Sequence, residues 1–333
     1  MAHTRAPLRL LACEGALSLA QGVAQTLDTR VLAVDETWFA CGEGKAVIRD
    51  NVRGCDVYVM QQPIVPGAER SVYDRFIMLL HAVEAAALAD AEHITAVVPY
   101  FPGARQDKRK GRTREGISAG LFARMLEEAG ACRVVTVEIH NEAIGGMFHP
   151  RHCVLENVYL TKHLARFIER EGICGDTVVS PDVGGLERAR RFAERLGLQI
   201  AALSKERDYS TANTVHRSTL IGDVKGHDVM LVDDMVDTGG SVVASVNELK
   251  SHGAGNITVA CAHPVLSGPA WERLTSLAAK AQAEGWRFRF VGTSSVQHAD
   301  TPDWYLEFPL EPLLGKVLRN VNARGSVTRA QES

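Results

Sequence analysis

Short apolar runs alternate with stretches of helical periodicity along most of the chain. VYVMQ (57–61) precedes FIMLLHAVEAAALADA, ITAVVPYF (94–101) precedes SAGLFARMLEEAG, and RVVTVEI covers 133–139. Continuous apolar runs indicate strands that are buried on both faces, and the stretches between them have the spacing of amphipathic helices. The alternation predicts βαβ units, with a mainly parallel sheet covered by helices on both sides.

The same rhythm begins again after about residue 155. A helical stretch, YLTKHLARFIEREG, leads to the run TVVS, and the later runs DVMLV and ITVACAH are again separated by helical spacing. A chain of 333 residues is long enough for two domains of ordinary size. The pattern therefore predicts an α/β protein with two domains of similar plan, at 8–155 and 156–320.

Composition narrows the class of protein. The chain is 46% apolar and 23% charged with a formal net charge of -3, which excludes the strongly basic balance of a dedicated nucleic-acid binder. Seven scattered cysteines without a CxxC pair are typical of a reducing cytoplasm, without structural zinc. Glu14 interrupts the apolar N-terminal run, and no stretch approaches the ~18 apolar residues of a membrane span. We expect a soluble cytoplasmic protein that binds neither nucleic acid nor membrane.

The segment VMLVDDMVDTGGSVVASV (229–246) combines a buried strand, three aspartates and a glycine turn. The strand is predicted to end at Val232, and the turn opens a helix, whose first N–H groups and dipole attract an anion. Carboxylates would repel that anion, so they are expected to face a hydroxyl-rich ligand or a metal ion. A sugar phosphate meets both requirements, and the simpler alternative is an ordinary capped connection. The polar and glycine residues concerned are Asp233, Asp234, Asp237, Thr238, Gly239, Gly240 and Ser241.

A second glycine turn lies in VVSPDVGGLERARR (178–191). It also follows a strand and precedes a helix, and Asp182 stands just ahead of Gly184 and Gly185. The backbone amides of such a turn can hold a pyrophosphate, and the carboxylate can hold Mg²⁺. By itself the turn is equally compatible with a simple loop.

Basic residues are concentrated in PYFPGARQDKRKGRTREGIS (99–118), directly after a strand. A nucleic-acid patch and a solvated loop both agree with this composition. The interspersed Asp107 and Glu115 favour a third interpretation, a loop at the edge of the site that meets a polyphosphate.

Two further segments are ambiguous from their residues alone. His140 follows the run RVVTVEI, where a lone histidine is more often structural. The stretch IAALSKERDYSTANTVHRSTL (200–220) has no hydrophobic periodicity in its middle, which predicts an exposed hairpin or loop. Lys205 and Arg207 could be ordinary surface charges there, although a mobile cationic pair suits phosphoryl-type transfer.

Together these segments resemble the ribose-phosphate pyrophosphokinase family, which makes phosphoribosyl pyrophosphate (PRPP). DDMVDTGGS is similar to the PRPP loop that this family shares with phosphoribosyltransferases, and SPDVGG resembles its pyrophosphate loop. PYFPGARQD resembles its ATP-binding segment, KER its catalytic loop, and AHPVLSGPA a segment near the end of its second domain, for which only a structural role is expected. The resemblance covers about residues 8–328. It implies two tandem phosphoribosyltransferase-like domains, each a mainly parallel sheet flanked by helices.

The resemblance also implies a role for individual residues. Lys205 and Arg207 are expected to be catalytic, and His140 and Asp182 to hold Mg²⁺. Binding of ribose 5-phosphate is implied for Arg207, Asp233, Asp234, Asp237, Thr238, Gly239, Gly240 and Ser241. Binding of ATP is implied for Phe39, Cys41, Gly42, Glu43, Arg105 and Gln106.

The chain departs from the family pattern at several positions. The early hairpin has Cys41 where the family's F-x-D-G-E carries an aspartate that meets adenine, and Gly103 stands where the ATP-binding segment has a tyrosine. Glu138 replaces an aspartate beside His140, and the segment 141–147 lacks the family's glutamines. The aromatic C-terminal tail is also missing, which argues against the family's usual allosteric regulation.

The resemblance implies a Mg²⁺-dependent ribose-phosphate diphosphokinase, a transferase that moves a diphosphoryl group from ATP to the anomeric hydroxyl of ribose 5-phosphate and gives PRPP and AMP. It also implies a homo-oligomer built from dimers, with a hexamer expected. One alternative is a non-catalytic, synthetase-like regulatory subunit. Another is a diphosphokinase with altered nucleotide or sugar-phosphate specificity.

Overall fold

The computed structural model describes residues 6–111, 113–207 and 215–332, with the side chains of 205–207, 215–218 and 332 outside the description. Contacts divide the chain into two compact units. The first comprises Met1–Tyr159, Ser294–Val296 and Pro309–Ser333, and the second comprises Leu160–Thr293 and Gln297–Phe308.

The first unit is built around one sheet. Its elements are β1 (Leu8–Ala12), α1 (Leu17–Leu27), β2 (Val31–Trp38), β3 (Gly44–Ile48), β4 (Asp56–Met60), α2 (Val72–Leu88), β5 (His93–Val97), α3 (Ser118–Glu128), β6 (Arg133–Val137) and β7 (Val154–Val158). Among the described residues the strand order is β3-β2-β1-β4-β5-β6-β7. All neighbours are parallel except β2 and β3, which form an antiparallel hairpin.

The second unit repeats this plan. Its elements are α4 (Thr161–Arg170), β8 (Thr177–Ser180), α5 (Leu186–Leu196), β9 (Gln199–Arg207), β10 (Val215–Ile221), β11 (Val229–Val236), α6 (Gly240–Ser251), β12 (Ile257–Pro264), α7 (Ala270–Ala283), β13 (Phe288–Thr293) and β14 (Tyr305–Phe308). The described strands are ordered β10-β9-β8-β11-β12-β13-β14, again parallel except for one hairpin, β9 with β10. The predicted α/β class with two mainly parallel sheets is confirmed.

Burial explains why apolar runs became strands. All five residues of β4 and all eight of β12 are buried, as expected for central parallel strands with both faces covered. Helices supply the covering: Leu79 and Val83 of α2 belong to the core of the first sheet, and Val246 of α6 to the core of the second. Parallel strands bring their carboxyl ends to one edge of each sheet, which is where ligands gather in such folds.

The C-terminal part of the chain packs with the first unit. Two helices, α8 (Glu311–Asn322) and α9 (Val327–Glu332), end the chain, and α8 packs on α1. The predicted second domain extended to residue 320, because periodicity shows that a helix has an apolar face but not which elements it packs against. In the structure Leu314, Val317 and Leu318 of α8 are buried in the first unit.

A buried hydrogen-bond network ties α8 to this sheet. Asp56 at the start of β4 is completely buried, and its Oδ2 accepts hydrogen bonds from the Tyr58 hydroxyl at 2.8 Å and from Asn322 Nδ2 at 2.9 Å. Asn322 also donates to the Ala6 carbonyl at 3.0 Å. One amide group thus satisfies two acceptors that are shielded from water.

Replacing Asn322 by alanine is expected to lower the free energy of unfolding by about 2 kcal/mol, because it leaves a buried carboxyl oxygen without one of its donors. Denaturant unfolding monitored by circular dichroism measures the change. Asn320→Ala is the matched control, since the Asn320 side chain donates an exposed hydrogen bond to the Ser326 carbonyl. Equal stability of the two variants would contradict the prediction.

No helix in the described part of the chain combines the length and the apolar character needed to cross a membrane.

Candidate functional sites in the two units

The three aspartates of the second unit lie where β11 ends. The strand continues to Val236, four residues beyond the predicted end at Val232, because residues 233–236 keep pairing with β12. Asp233 and Asp234 therefore lie within the strand and alternate between its faces. Asp234 is 6% exposed, and Asp233 and Asp237 are partly buried.

The first two carboxylates repel one another in a desolvated position. Burial raises the pKa of Asp233 well above its usual range, and the neighbouring Asp234 raises it further. Arg188 of α5 opposes this shift, with its Nη1 3.9 Å from Asp234 Oδ1, and the Asp234 amide donates to Asp233 Oδ1 at 2.9 Å. A ligand that offers hydroxyl donors or a cation to these carboxylates relieves the repulsion.

A glycine turn follows the acids and starts α6. Gly239 has φ +73°, a left-handed conformation that favours glycine, and α6 begins at Gly240 as predicted. A Cβ at Gly239 would also lie 3.5 Å from Ala270 Cα. Free amides at the start of a helix, next to the hydroxyls of Thr238 and Ser241, form an arrangement suited to a phosphate.

The second predicted turn lies in the same unit, between β8 and α5. Asp182 Oδ1 accepts a hydrogen bond from the Gly185 amide at 2.9 Å, and Ser180 Oγ donates to the Asp182 carbonyl at 2.6 Å. A Cβ at Gly185 would lie 2.8 Å from Ser180 Oγ, so the turn requires glycine there. Asp182 itself is exposed at the carboxyl end of the sheet.

Arg188 was not predicted from the sequence, although its Nη1 lies 3.9 Å from Asp234 Oδ1. It lies three residues after Gly185 on the first turn of α5, one of several basic residues in LERARR. Its side chain is 19% exposed, unlike the neighbouring Arg190 at 54%. Helical spacing alone could have placed it on the face that turns toward the sheet.

In the first unit, the basic segment after β5 forms a turn in front of α3. Gly103 has φ +74°, and a Cβ there would lie 2.9 Å from Ser118 Cβ. A left-handed residue packed this closely favours glycine at position 103. Arg105 and Gln106 are exposed beyond it, and Ser118 Oγ donates to Gln106 Oε1.

His140 lies beside that segment in the same unit. Strand β6 ends at Val137, earlier than the apolar run suggested, because Glu138 adopts φ +38° and turns the chain. His140 is exposed after this turn, and Asn141 Nδ2 donates to Asp107 Oδ2. A strained residue at a strand end is a feature of functional sites, and here it brings His140 next to the Arg105–Asp107 segment.

The hairpin of β2 and β3 carries the other residues expected to meet a nucleotide. Phe39 is 48% exposed, Cys41 and Glu43 are exposed, and Gly42 has φ +93° at the tip. The Phe39 amide donates to the Glu43 carbonyl at 2.8 Å, which closes the turn. The hairpin thus presents an aromatic ring and a carboxylate to solvent.

The strands β9 and β10 pair antiparallel within the stretch 200–220, for which an exposed hairpin or a loop was predicted. Lys205 and Arg207 belong to β9, where their backbones pair with Ser218 and Val215 of β10. Their side chains, and residues 208–214 between the strands, lie outside the described residues.

The metal-ligating side chains of the described residues do not form a ready-made cluster. Across the described ranges, no group of three or more His, Cys, Asp or Glu side chains converges on one position. Mg²⁺ commonly takes only one or two carboxylates and completes its shell with water and substrate phosphates. The exposed Asp182, whose hydrogen bond to Gly185 engages one of its two carboxylate oxygens, fits that mode of binding.

Two family models match the chain. The N-terminal domain of ribose phosphate pyrophosphokinase matches residues 8–130, and a phosphoribosyl transferase domain matches residues 156–297. The ribose-phosphate pyrophosphokinase of Corynebacterium glutamicum is 36% identical over 314 residues, which are 93% of this chain and 91% of that protein. That of Mycobacterium tuberculosis is 36% identical over 332 residues, 97% of this chain and 95% of that protein. The chain belongs to the ribose-phosphate pyrophosphokinase family.

A solved structure agrees with this membership. The crystal structure of phosphoribosylpyrophosphate synthetase from Mycobacterium smegmatis superposes with a TM-score of 0.83 at 34% sequence identity, covering 96% of this chain and 100% of that one. The resemblance inferred from the motifs is therefore confirmed. Membership of the ribose-phosphate pyrophosphokinase family also confirms the predicted class of enzyme, a transferase.

Proposed function

We propose that this member of the ribose-phosphate pyrophosphokinase family transfers the diphosphoryl group of ATP to the anomeric hydroxyl of ribose 5-phosphate, and that the products are PRPP and AMP. The observation that best supports the proposal lies at the carboxyl end of β11, where aspartates are followed directly by a glycine turn. It joins acceptors for sugar hydroxyls to a cradle for a phosphate within a few residues.

The second unit is proposed to bind the sugar phosphate. Asp233 and Asp237 accept hydrogen bonds from ribose hydroxyls, and burial of the Asp233–Asp234 pair favours ligands that donate to it. The turn Thr238–Ser241 holds the 5-phosphate through its amides and hydroxyls, with Gly239 and Gly240 leaving room for the anion. Asp234 supports Asp233 from the buried side, and Arg207 contributes a cation to the sugar phosphate.

ATP binding is proposed for two segments of the first unit. Arg105 and Gln106 contact the phosphates, where an exposed guanidinium beside Lys108 suits a polyanion. Phe39 stacks on the base at the hairpin tip, and Cys41, Gly42 and Glu43 contact its polar edge. The hairpin is proposed to contribute to the nucleotide site of a neighbouring copy. This requires a homo-oligomer, which is proposed to be built from dimers and expected to be a hexamer. Mass photometry measures the oligomeric state.

His140 and Asp182 are proposed to hold Mg²⁺. The ion, when bound, neutralises charge on the phosphates of ATP. Asp182 fits through an exposed carboxylate at the second glycine turn, and His140 through an exposed ring beside the Arg105–Asp107 segment.

The chemistry then needs little beyond orientation and charge. The anomeric hydroxyl oxygen forms a bond to the β-phosphorus of ATP and gives up its proton to solvent. The bond from that phosphorus to the oxygen it shares with the α-phosphate breaks, and AMP leaves with the electron pair. Lys205 and Arg207 neutralise the charge on the non-bridging oxygens of the group in transfer. The acids and the turn Thr238–Ser241 hold the sugar in line, and such positioning accounts for most of the acceleration.

Incubation of the purified chain with ATP, ribose 5-phosphate, Mg²⁺ and inorganic phosphate tests the proposal. We expect AMP and PRPP to appear in equal amounts, measured by chromatography. Failure to form either product would reject catalysis and would favour a non-catalytic subunit, which should instead change the activity of an active synthetase when mixed with it.

A second candidate function keeps the transfer and changes the donor or acceptor. It is favoured by the exposed Cys41, because a thiol is a weaker acceptor for the adenine amino group than a carboxylate. A panel of nucleoside triphosphates and pentose phosphates discriminates the two candidates. A kcat/KM for another donor or acceptor above that for ATP and ribose 5-phosphate would establish the second.

A further inference from the structure

Residues 266–273, LSGPAWER, lie against the acidic end of β11 and are called here the clamp segment. Three donors of this segment bind three successive carbonyls. The Leu266 amide donates to Val236 at 3.0 Å, the Ser267 amide to Asp237 at 3.0 Å, and Arg273 Nη1 to Thr238 at 2.9 Å.

These bonds determine which way the neighbouring amides point. A peptide group is planar and trans, so its C=O and the following N–H point in opposite directions. Carbonyls that turn toward the clamp segment therefore direct the amides of Asp237, Thr238 and Gly239 away from it. The residues 237–241, called here the phosphate turn, thus present successive N–H groups on the side opposite the clamp segment, where an anion can bind.

The clamp segment also lies within van der Waals distance of a Cβ placed on either glycine of the phosphate turn. Ala270 Cα lies 3.5 Å from the position of a Cβ on Gly239, and Arg273 Nη1 lies 3.4 Å from that of a Cβ on Gly240. Leu266 adopts φ +47°, an uncommon conformation for a leucine, where the clamp segment leaves β12. The hydrogen bonds and the packing that surround Leu266 maintain this conformation.

The clamp segment also holds a side chain of the proposed sugar site. Ser267 Oγ donates to Asp237 Oδ1, so the same residue binds both the carbonyl and the carboxylate of Asp237. Neither Ser267 nor Arg273 has a role in the proposed chemistry.

We propose that the clamp segment orients the phosphate turn, with Arg273 and Ser267 as positioning residues for ribose 5-phosphate. Arg273 acts through the Thr238 carbonyl, and Ser267 acts through Asp237. The inference rests on the proposed function, because it assumes that the phosphate turn binds the sugar phosphate. It gives a functional role to a segment whose motif suggested only a structural one.

Steady-state kinetics of Arg273→Met tests the inference. Loss of the charged donor is expected to raise KM for ribose 5-phosphate about tenfold or more, with KM for ATP within about twofold of wild type. Arg273→Lys restores one donor and is expected to recover much of the loss. Lys280→Met is the matched control, because Lys280 is a cation two turns further along the same face of α7 and contacts Asn247 rather than the turn.

Ser267→Ala provides a second test that does not depend on Arg273→Met folding. It is expected to raise KM for ribose 5-phosphate and to leave KM for ATP unchanged, as for Arg273→Met. Thermal unfolding shows whether the variant is folded. Unchanged KM for ribose 5-phosphate in either folded variant, or equal rises for both substrates, would overturn the positioning role. If the wild-type chain makes no PRPP, the proposed function and this inference both fail. If the wild type is active and KM for ribose 5-phosphate is unchanged in the variants, only this inference fails.

Discussion

Replacing Lys205 by alanine is expected to lower kcat at least about a hundredfold, because a cation delivered to a transferring phosphoryl-type group contributes large factors in rate. Affinity for ribose 5-phosphate should stay near that of the wild type, since Lys205 is proposed to act on charge that develops in the transition state. Stopped assays of AMP formation give kcat, and calorimetric titration with ribose 5-phosphate gives the affinity. A large loss of kcat with little loss of binding is the signature of a group that acts in the transition state.

Lys225→Ala is the control for this experiment. Lys225 is an exposed lysine of the same unit, in the loop before β11 where its amide donates to Asp223. Its removal should leave kcat unchanged. If Lys205→Ala turned over as fast as Lys225→Ala, the β9–β10 hairpin would have no part in the chemistry.

Replacing Asp233 by asparagine is expected to stabilise the ligand-free protein and to impair its activity. The pKa of Asp233 is raised in the folded protein by burial and by Asp234, so ionising this carboxyl opposes folding. Asparagine removes that cost, and each kcal/mol recovered raises Tm by about 2 °C. The same change removes a charged acceptor for a ribose hydroxyl, so kcat/KM for ribose 5-phosphate should fall about a hundredfold.

The stabilisation should depend on pH in a definite direction. Below the ordinary pKa of an aspartate, Asp233 is protonated in the folded and unfolded chains, and the variant has no advantage of this kind. As the pH rises toward the raised pKa of the folded protein, the unfolded chain ionises first and the wild type loses stability. The difference in Tm should therefore widen from about pH 4 toward neutrality and then become level.

Asp223→Asn tests the sign of this effect. Its carboxylate accepts a hydrogen bond from the Lys225 amide at 2.9 Å, which lowers its pKa, so its ionised form favours folding. Asparagine at 223 should therefore lower Tm slightly at neutral pH, opposite to Asp233→Asn. Destabilisation of both variants would show that the aspartate pair is relieved by contacts already present in the protein.

Local patterns predicted much of this fold because they record burial along one strand or helix. The runs VYVMQ and ITVACAH are apolar because both faces of their strands are covered. The apolar runs alone therefore predicted buried strands, without information on which elements pack against them. The glycines after β8 and β11 predicted turns for a similar reason, since positive φ or close backbone approach is a requirement of single positions such as Gly239.

Other features depended on residues far apart in the chain. The end of β11 at Val236 is set by pairing with β12, and the position of α8 by its packing on α1. The partners of the aspartates were hidden for the same reason. Arg188 lies on α5, and the β9–β10 hairpin separates it along the chain from Asp234 on β11. Arg273 lies on α7 and donates to the Thr238 carbonyl in front of α6.

The sequence by itself determined the α/β class, the repeated plan of the two sheets, and the motifs that identify the family, because each depends on local spacing and residue type. Only the tertiary structure decided which unit α8 packs with, how burial raises the pKa of Asp233, and which way the amides of the phosphate turn point. These depend on desolvation and on hydrogen bonds between distant segments, which exist only after the chain has folded.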